Sequence, residues 1–419
     1  MSGVTPTGGE RVHRSGPRAL RVVADDRTGA LETAGAMAAR SGVPVQVLAR
    51  DGGPWWSSTG QLVLDADTRR CSPVEAGARV ADLVGAGWPP SVALAHKIDS
   101  TLRGNWAAEV VARRSVDGRP ALVVPALPEL GRTCAGGIVR VDGVPVHLGP
   151  AGRDPRSPIV SSSPAELLGA AGAGGVVSLP DPTAVDRWLA EPSGIAVADA
   201  VTVEQVELLG AEWRERGAGV LLVGTSSVIG AAVGPGTAAG RTAAVPGPPN
   251  RLDRVVVVCG SLHPVAREQV RRVAAGAGVD PSRIDLVVSE GVDGPVPTAA
   301  AATAAASLAA AAWARIAASP AGNRVGVVVL GGETTAAFLG DRPVDVVGWA
   351  APGTPWGYVR RSADDAGGPV GTDDAGHTDD GQTAGNCGDL GGLVVATRSG
   401  GFGTPDALTE LLPDLLARP

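Results

Sequence analysis

Apolar runs of four to six residues recur along the chain, each closed by an acidic, basic or glycine-rich turn and followed by a helical stretch. Runs this short, bounded by turn residues, read as buried strands rather than helices. Arg21–Ala24 precedes a helix over Leu31–Arg40, Gln61–Leu64 precedes Glu75–Val84, and Ser91–Ala95 precedes Trp106–Arg114. Val43–Leu48, Ala121–Val124, Val176–Leu179, Ile195–Asp199 and Gly219–Gly224 are further strands, with a helix over Val203–Arg216. Strands alternating with helices imply a parallel sheet covered on both faces. Val139–Leu148 departs from the pattern and reads as a hairpin around Asp142-Gly143.

At 419 residues the chain exceeds one ordinary core, so two domains of about 200 residues are expected. The fold class is α/β: two domains, each a largely parallel sheet flanked by helices, with the active site in the cleft between them. Residues 1–18 read as a flexible leader, 19–232 as a first domain, 233–252 as a Gly/Pro/Ala/Thr linker and 253–419 as a second domain. Within the second domain Arg254–Val258, Val325–Leu330, Val346-Val347 and Leu393–Ala396 read as strands, and Val265–Ala275 as a helix. Residues 361–391 are rich in Gly and Asp and read as a disordered insertion.

Aromatic residues make up only 3% of the chain, so the cores must be built from Val, Leu, Ala and Ile. A net charge of −7 without a basic cluster argues against nucleic-acid and anionic-membrane surfaces. Cys71, Cys134, Cys259 and Cys387 lie far apart with no C-x-x-C, so neither a zinc site nor a disulfide framework is expected. Thr298–Ile316 is apolar by count. It is mostly alanine, carries Arg315 and follows Pro297, and so reads as a helix of a soluble protein. The leader has no apolar segment of a signal peptide, which makes the cytoplasm the expected compartment. A homodimer is left open.

The most polar of the strand ends is His96-Lys97-Ile98-Asp99-Ser100-Thr101-Leu102-Arg103-Gly104-Asn105. Buried polar groups cost a few kcal/mol unless partnered, so such density belongs to a site at the carboxyl end of a strand. Of 36 basic residues Lys97 alone is a lysine, which points to a need for a compact, rotatable ammonium. Asp25-Asp26 closes the first strand, where one acid suffices for a helix cap and the second needs another reason. Arg69, within Asp65–Arg70, and Arg132-Thr133 bring further cations and hydroxyls to strand ends. Trp55-Trp56 sits in a loop and reads as packing, with a lid as the alternative.

Three glycine turns follow strands in the second domain: Gly260-Ser261, Gly331-Gly332-Glu333-Thr334 and Arg398-Ser399-Gly400-Gly401-Phe402-Gly403. Glycine there lets backbone approach a phosphate, and a helix N-terminus favours an anion. Ala351–Gly357 reads as a rigid turn that presents Trp356 to a base, with Gly353, Thr354 and Pro355 beside it. The P-loop pattern G-x-x-x-x-G-K-[ST] does not occur.

Taken together the motifs resemble the four-carbon acid sugar kinase family, whose members phosphorylate threonate, erythronate or 3-oxo-tetronate with ATP. The resemblance rests on A-D-D-x-T-G-A at Ala24–Ala30, K-x-D-S-T-L-R-G-N at Lys97–Asn105 and P-A-x-P-E-x-G-R-T at Pro125–Thr133. Gly260-Ser261, Gly331–Thr334, Pro352–Gly357 and Arg398–Gly403 match the family's nucleotide-domain elements. Arg398 replaces the usual lysine, Arg27 stands at a usually apolar position, and residues 361–391 are an atypical insertion.

The resemblance implies ATP and Mg²⁺ as cofactor and metal, with Asp26, Asp99 and Lys97 catalytic. Asp25, Arg69, Ser100, Arg103, Arg132 and Thr133 join them in binding the sugar acid. Ser261, Gly331, Gly332, Glu333, Thr334, Gly353, Thr354, Pro355, Trp356, Arg398, Gly400 and Gly401 would hold nucleotide, with Glu333 reaching Mg²⁺ through water. Two alternatives stay open: a Schiff-base aldolase with Lys97 as nucleophile and Asp99 as its acid–base partner, and a sugar-acid-binding protein without catalysis.

Overall fold

The computed structural model describes residues 19–51, 60–85, 92–154, 157–217, 219–234, 252–276, 278–290, 297–320, 322–360 and 392–416. The expected leader, Trp55-Trp56, most of the linker and the 361–391 segment with Cys387 lie outside the described residues.

The first half runs β1 (Leu20–Ala24), α1 (Arg27–Ser41), β2 (Val45–Ala49), β3 (Leu62–Asp65), α2 (Pro73–Gly85), β4 (Ala93–Lys97), α3 (Trp106–Asp117) and β5 (Ala121–Val124). It continues through β6 (Arg132–Ala135), β7 (Ile138–Val141), β8 (Val144–Pro145), α4 (Pro164–Ala170), β9 (Val176–Leu179), α5 (Pro182–Ala190), β10 (Ile195–Ala198), α6 (Val203–Arg216), β11 (Leu221–Gly224) and α7 (Ser226–Val233). The second half runs β12 (Arg254–Cys259), α8 (Pro264–Ala274), β13 (Ile284–Val288), α9 (Thr298–Ala317), β14 (Val325–Leu330) and α10 (Gly332–Leu339). It ends with β15 (Val344–Ala351), β16 (Thr354–Val359), β17 (Leu393–Arg398) and α11 (Ala407–Leu415).

Fourteen strands form one sheet in the order β13-β12-β14-β17-β16-β15-β2-β3-β1-β4-β11-β5-β10-β9. Neighbours are parallel except at β2–β15, β15–β16 and β16–β17. The α/β class holds, but the two expected sheets are continuous. The segment Ala351–Gly357 makes the difference: only Pro352-Gly353 turns, and Thr354 onward is strand. The resulting β15–β16 hairpin supplies the antiparallel bridge, with Val344 and Val346 of β15 opposite Val47 and Val45 of β2.

Val, Leu and Ala fill these strands because both faces are covered, and β1, β5 and β10 are buried throughout. One apolar cluster spans both halves, including Val22, Val45 and Val47 with Val256, Val327 and Val344. Helix α1 lies at the joint, where Gly35 leaves room for the hairpin: a Cβ there would stand 3.1 Å from Pro355 Cβ. Helix α9 is long and apolar enough to cross a membrane by length and composition. Here its Leu308, Ala309 and Ala312 pack in the same cluster as Val256 and Val258 of β12. Trp313 of α9 stacks on Phe338 of α10, with ring centroids 4.8 Å apart.

The expected hairpin is β7–β8, turned at Asp142-Gly143, and β6 pairs with β7 on its other side. Together the three form a second, separate sheet. Phe338 has no exposed surface. Phe338→Ala is therefore expected to lower unfolding free energy by about 3–5 kcal/mol in a urea titration.

Candidate active site

Three adjacent parallel strands deliver the site. β1 lies between β3 and β4, with Ala24 in register with Asp65 on one side and Lys97 on the other. The residues just beyond those positions therefore meet at one sheet edge. Asp25 accepts two bonds from Arg69, Nε at 2.8 Å and Nη2 at 2.9 Å. Arg69 Nη1 stands 2.5 Å from Asp26, and its Nη2 stands 3.9 Å from Asp99. Asp26 also caps α1, its Oδ1 accepting from Gly29 N at 2.6 Å. The cap and the site are the same residue. Asp25 is the acid with another purpose.

The strand carrying Lys97 extends further than its apolar run, so the lysine leaves from β4 itself rather than from the turn after it. Lys97 is 4% exposed, and its Nζ donates to Ile98 O at 2.9 Å. An ammonium has three donors, so two directions remain. A Cβ on Gly29 would lie 3.6 Å from that Nζ, which puts the ammonium beside the first turn of α1.

From Asp99 the chain wraps back over the cluster. Arg103 donates to both Asp99 oxygens and pairs with Asp154 at 3.0 Å, and Thr101 Oγ1 also donates to Asp99. Leu102 takes a left-handed φ of 65° while its side chain stays buried. Gly104 has φ 88°, and a Cβ there would come within 2.9 Å of Asp25 Oδ2. Ser100 lies in the same turn, and Thr133 on β6 adjoins Arg132.

Environment separates the carboxylates. Burial pushes Asp25 up to about 6, although Arg69 opposes the shift. Burial acts on Asp99 too, but Arg103 and Arg69 outweigh it and hold the carboxyl well below the usual range. Burial works against charge on Arg69, yet Asp25, Asp26 and Asp99 keep it firmly protonated. Beside this cluster burial raises Asp65 to about 7 despite Arg27, whose Nε stands 3.2 Å away.

The glycine turns converge in the second half. β12, β14 and β17 are neighbours and parallel, so Ser261, Gly331 and Gly400 emerge together. A Cβ on Gly331 would lie 3.4 Å from Ser261, and one on Gly400 would overlap Ser261 Oγ. Arg398 is buried at the end of β17. Its Nη2 donates to Pro352 O at 3.2 Å, while Nε and Nη1 have no hydrogen-bond partner among the described residues. Gly401 faces the His263 ring, and Gly353, with φ 68°, faces Phe402.

Thr334, Thr354 and Trp356 differ from expectation, because they belong to packed elements rather than open turns. Trp356 is 3% exposed on β16, set edge-on to Tyr358, and offers no free face to a base. Pro355 packs against Gly35.

The two groups of residues touch. Arg70 pairs with Glu333 at 3.1 Å, Arg27 Nη2 donates to Gly340 O at 2.6 Å, and Arg132 lies over the Phe402 ring at 5.6 Å. Gly332 approaches Thr28, where a Cβ would stand 3.1 Å from Oγ1. Arg27 thus joins Asp65 to the second half. Glu333, the expected Mg²⁺ ligand, reaches the first. Among the described residues no group of three or more His, Cys, Asp or Glu is placed to hold a metal ion.

Sequence reasoning missed Asp154, which carries no local signal, and the buried pair His96–Glu109. His96 Nε2 lies 2.9 Å from Glu109 Oε2, with both residues fully buried. Strand alternation could have found it: His96 precedes Lys97 and must face the opposite side of β4.

Residues 20–232, just over half of the chain, match the family described as the sugar-binding N-terminal domain. The chain belongs to that family. Relatives include a D-threonate kinase of Cupriavidus necator, 42% identical over 127 residues that cover 30% of each chain. A D-erythronate kinase of Heliobacterium modesticaldum is 31% identical over 270 residues, covering 60% of this chain and 59% of the relative. The chain thus aligns with at most about three-fifths of the length of these two relatives. A Salmonella typhimurium LT2 crystal structure, with a suggested role as a tRNA synthase, superposes with TM-score 0.68 at 21% identity. It covers 93% of this chain and 98% of its own. At that identity the likeness shows the fold alone.

The family match covers β1, β3 and β4 and hence the whole carboxylate cluster. Two measurements probe that cluster. Gly104→Ala forces a Cβ against Asp25 and a strained φ, and is expected to cost about 1–3 kcal/mol in denaturant titration. Burial holds the folded pKa of Asp65 at about 7, above the ordinary carboxyl value of 3.8. Its contribution to stability is complete below the lower value and lost as pH rises through the upper one. Relative to wild type, Asp65→Asn should gain melting temperature between pH 4 and pH 7; a constant difference across that window would contradict the raised pKa.

Proposed function

We propose that the chain is an ATP-dependent kinase that phosphorylates a hydroxyl of a four-carbon sugar acid. The observation that carries this reading is the contact between two complementary sets. One is a carboxylate–guanidinium–ammonium cluster at the ends of β1, β3 and β4. The other is three glycine turns at the ends of β12, β14 and β17. The relatives named D-threonate and D-erythronate kinase support the substrate class. The cytoplasm is the compartment we propose for it.

Phosphoryl transfer needs positioning and charge neutralisation more than covalent chemistry. ATP supplies the phosphoryl group when bound. The second half suits it: Arg398 has buried N–H groups without partners, and Gly331 and Gly400 pack closely around Ser261 at the ends of their strands. Mg²⁺ usually keeps several waters and takes one or two carboxylates besides phosphates. Glu333, beside Gly331 and Gly332, is the residue that would reach it.

In the first half Lys97, Arg103 and Arg132 neutralise the acid's carboxylate and the incoming charge. Arg132 is suited to an anion, its Nε being buried without a hydrogen-bond partner among the described residues. Ser100, in the turn after β4, and Thr133, on β6 beside Arg132, would offer hydroxyls to the acid. The three acids have different tasks. Asp99 is too weak a base, because Arg103 and Arg69 hold it anionic. Asp25 is fully buried with both oxygens on Arg69. Asp26, its side chain 22% exposed, remains to take the proton of the attacking hydroxyl. The aldolase alternative leaves the convergent glycine turns without a use.

The test is ADP release with Mg²⁺-ATP against D- and L-threonate, D- and L-erythronate and 3-oxo-tetronates, with six-carbon acids as controls. Release dependent on a four-carbon acid is expected, and none with any of them would overturn the reading. Lys97→Met should lower kcat by about 10²–10³-fold while ATP affinity, read by calorimetry, stays within about twofold. Loss of ATP binding in that variant would contradict the assignment of nucleotide to the second half.

A further inference from the structure

Asn105 closes the most polar motif of the chain and has no part in the chemistry above. It occupies the N-cap of α3, a position where asparagine ordinarily accepts a bond from a backbone N–H of the first turn. Its side chain makes no such bond. Nδ2 instead donates to Thr68 O at 2.9 Å and to Cys71 O at 2.8 Å. Those carbonyls bracket Arg69 and Arg70. The same short turn is closed by Cys71 N donating to Thr68 O, and it hangs from β1 through Thr68 N and Arg69 N, which both donate to Asp25 O. Arg69 enters the carboxylate cluster and Arg70 reaches Glu333. One amide thus ties the start of α3 to both ends of the turn that aims two guanidinium groups.

We propose that Asn105 is a positioning residue, clamping the Thr68–Cys71 turn so that Arg69 stays among Asp25, Asp26 and Asp99. The inference rests on the kinase reading for its kinetic consequence and on geometry alone for the clamp. Arg69 is the group that opposes protonation of Asp25; Asp26 from the turn after β1 and Glu109 from α3 act in the other sense. A loosened Arg69 therefore lets Asp25 protonate at higher pH.

Two variants separate a clamp from a helix cap. Aspartate caps as well as asparagine and alanine caps poorly, but neither side chain has an N–H to donate. Asn105→Asp and Asn105→Ala should therefore both lower kcat/KM for the acid, by about tenfold or more, since small displacements of reacting groups are costly. In Asn105→Ala, which adds no charge, the acidic limb of the kcat/KM profile should move to higher pH. A second readout needs no turnover. Cys71 is part-exposed whereas Cys134 and Cys259 are buried, so in a Cys387→Ser background thiol labelling reports on the turn. Labelling should quicken several-fold in both variants. Wild-type kinetics in Asn105→Asp with a defect only in Asn105→Ala would show a cap and overturn the proposal, as would unchanged labelling in both. Wild-type protein inactive towards every acid would refute the kinase reading, while the labelling rates would still decide the clamp.

Discussion

A single part-buried guanidinium holds the first half of the site together. Three carboxylates from two strand ends crowd one sheet edge, and like charges so close would repel strongly without a cation among them. Arg69 supplies it from the third strand, with two bonds to Asp25, one ion pair to Asp26 and a longer one to Asp99. Removing one member of such a network strands the others, and breaking a buried pair typically costs about 3–5 kcal/mol. The arrangement also sorts the acids chemically. Asp99 is kept anionic by two guanidinium groups, and Asp25 is pushed towards neutrality by burial.

Much of this edge was legible beforehand, for a plain reason. Parallel strands deliver their carboxyl ends to the same side, so polar residues after Ala24, Asp65 and the run before Lys97 were bound to meet if the strands were neighbours. What local sequence cannot show is which distant strands pair. The β2–β15 pairing joins residues some 300 positions apart and makes one sheet of two expected ones. Trp356 shows the complementary failure. Pro and Gly at 352 and 353 suggested a longer turn, but only those two residues turn, and the strand that follows carries the indole into the core. Asp154 was invisible because its partner Arg103 reaches it across the fold.

The polar contacts at the seam between the halves begin at residues that also serve the site. Arg70 adjoins Arg69, Glu333 adjoins Gly332, and Arg27 holds Asp65 while donating to Gly340. Exposed pairs of this kind contribute little stability, about 0–1 kcal/mol each, so Arg70–Glu333, half-exposed, works as a guide to registration. The continuous apolar cluster beneath it supplies the cohesion. Precision at the seam and strength in the core are thus assigned to different groups.

The solitary lysine has a consequence outside catalysis. A protease that cuts only after lysine finds one bond in the whole chain, Lys97–Ile98, at the buried end of a strand flanked on both sides by others. The cut would leave β1 to β4 on one fragment and β5 to β17 on the other, so that the sheet would part at β4–β11 and at β2–β15. Because that bond becomes accessible only when the sheet parts, its cleavage rate measures the opening of this one place, with no competing site to blur it.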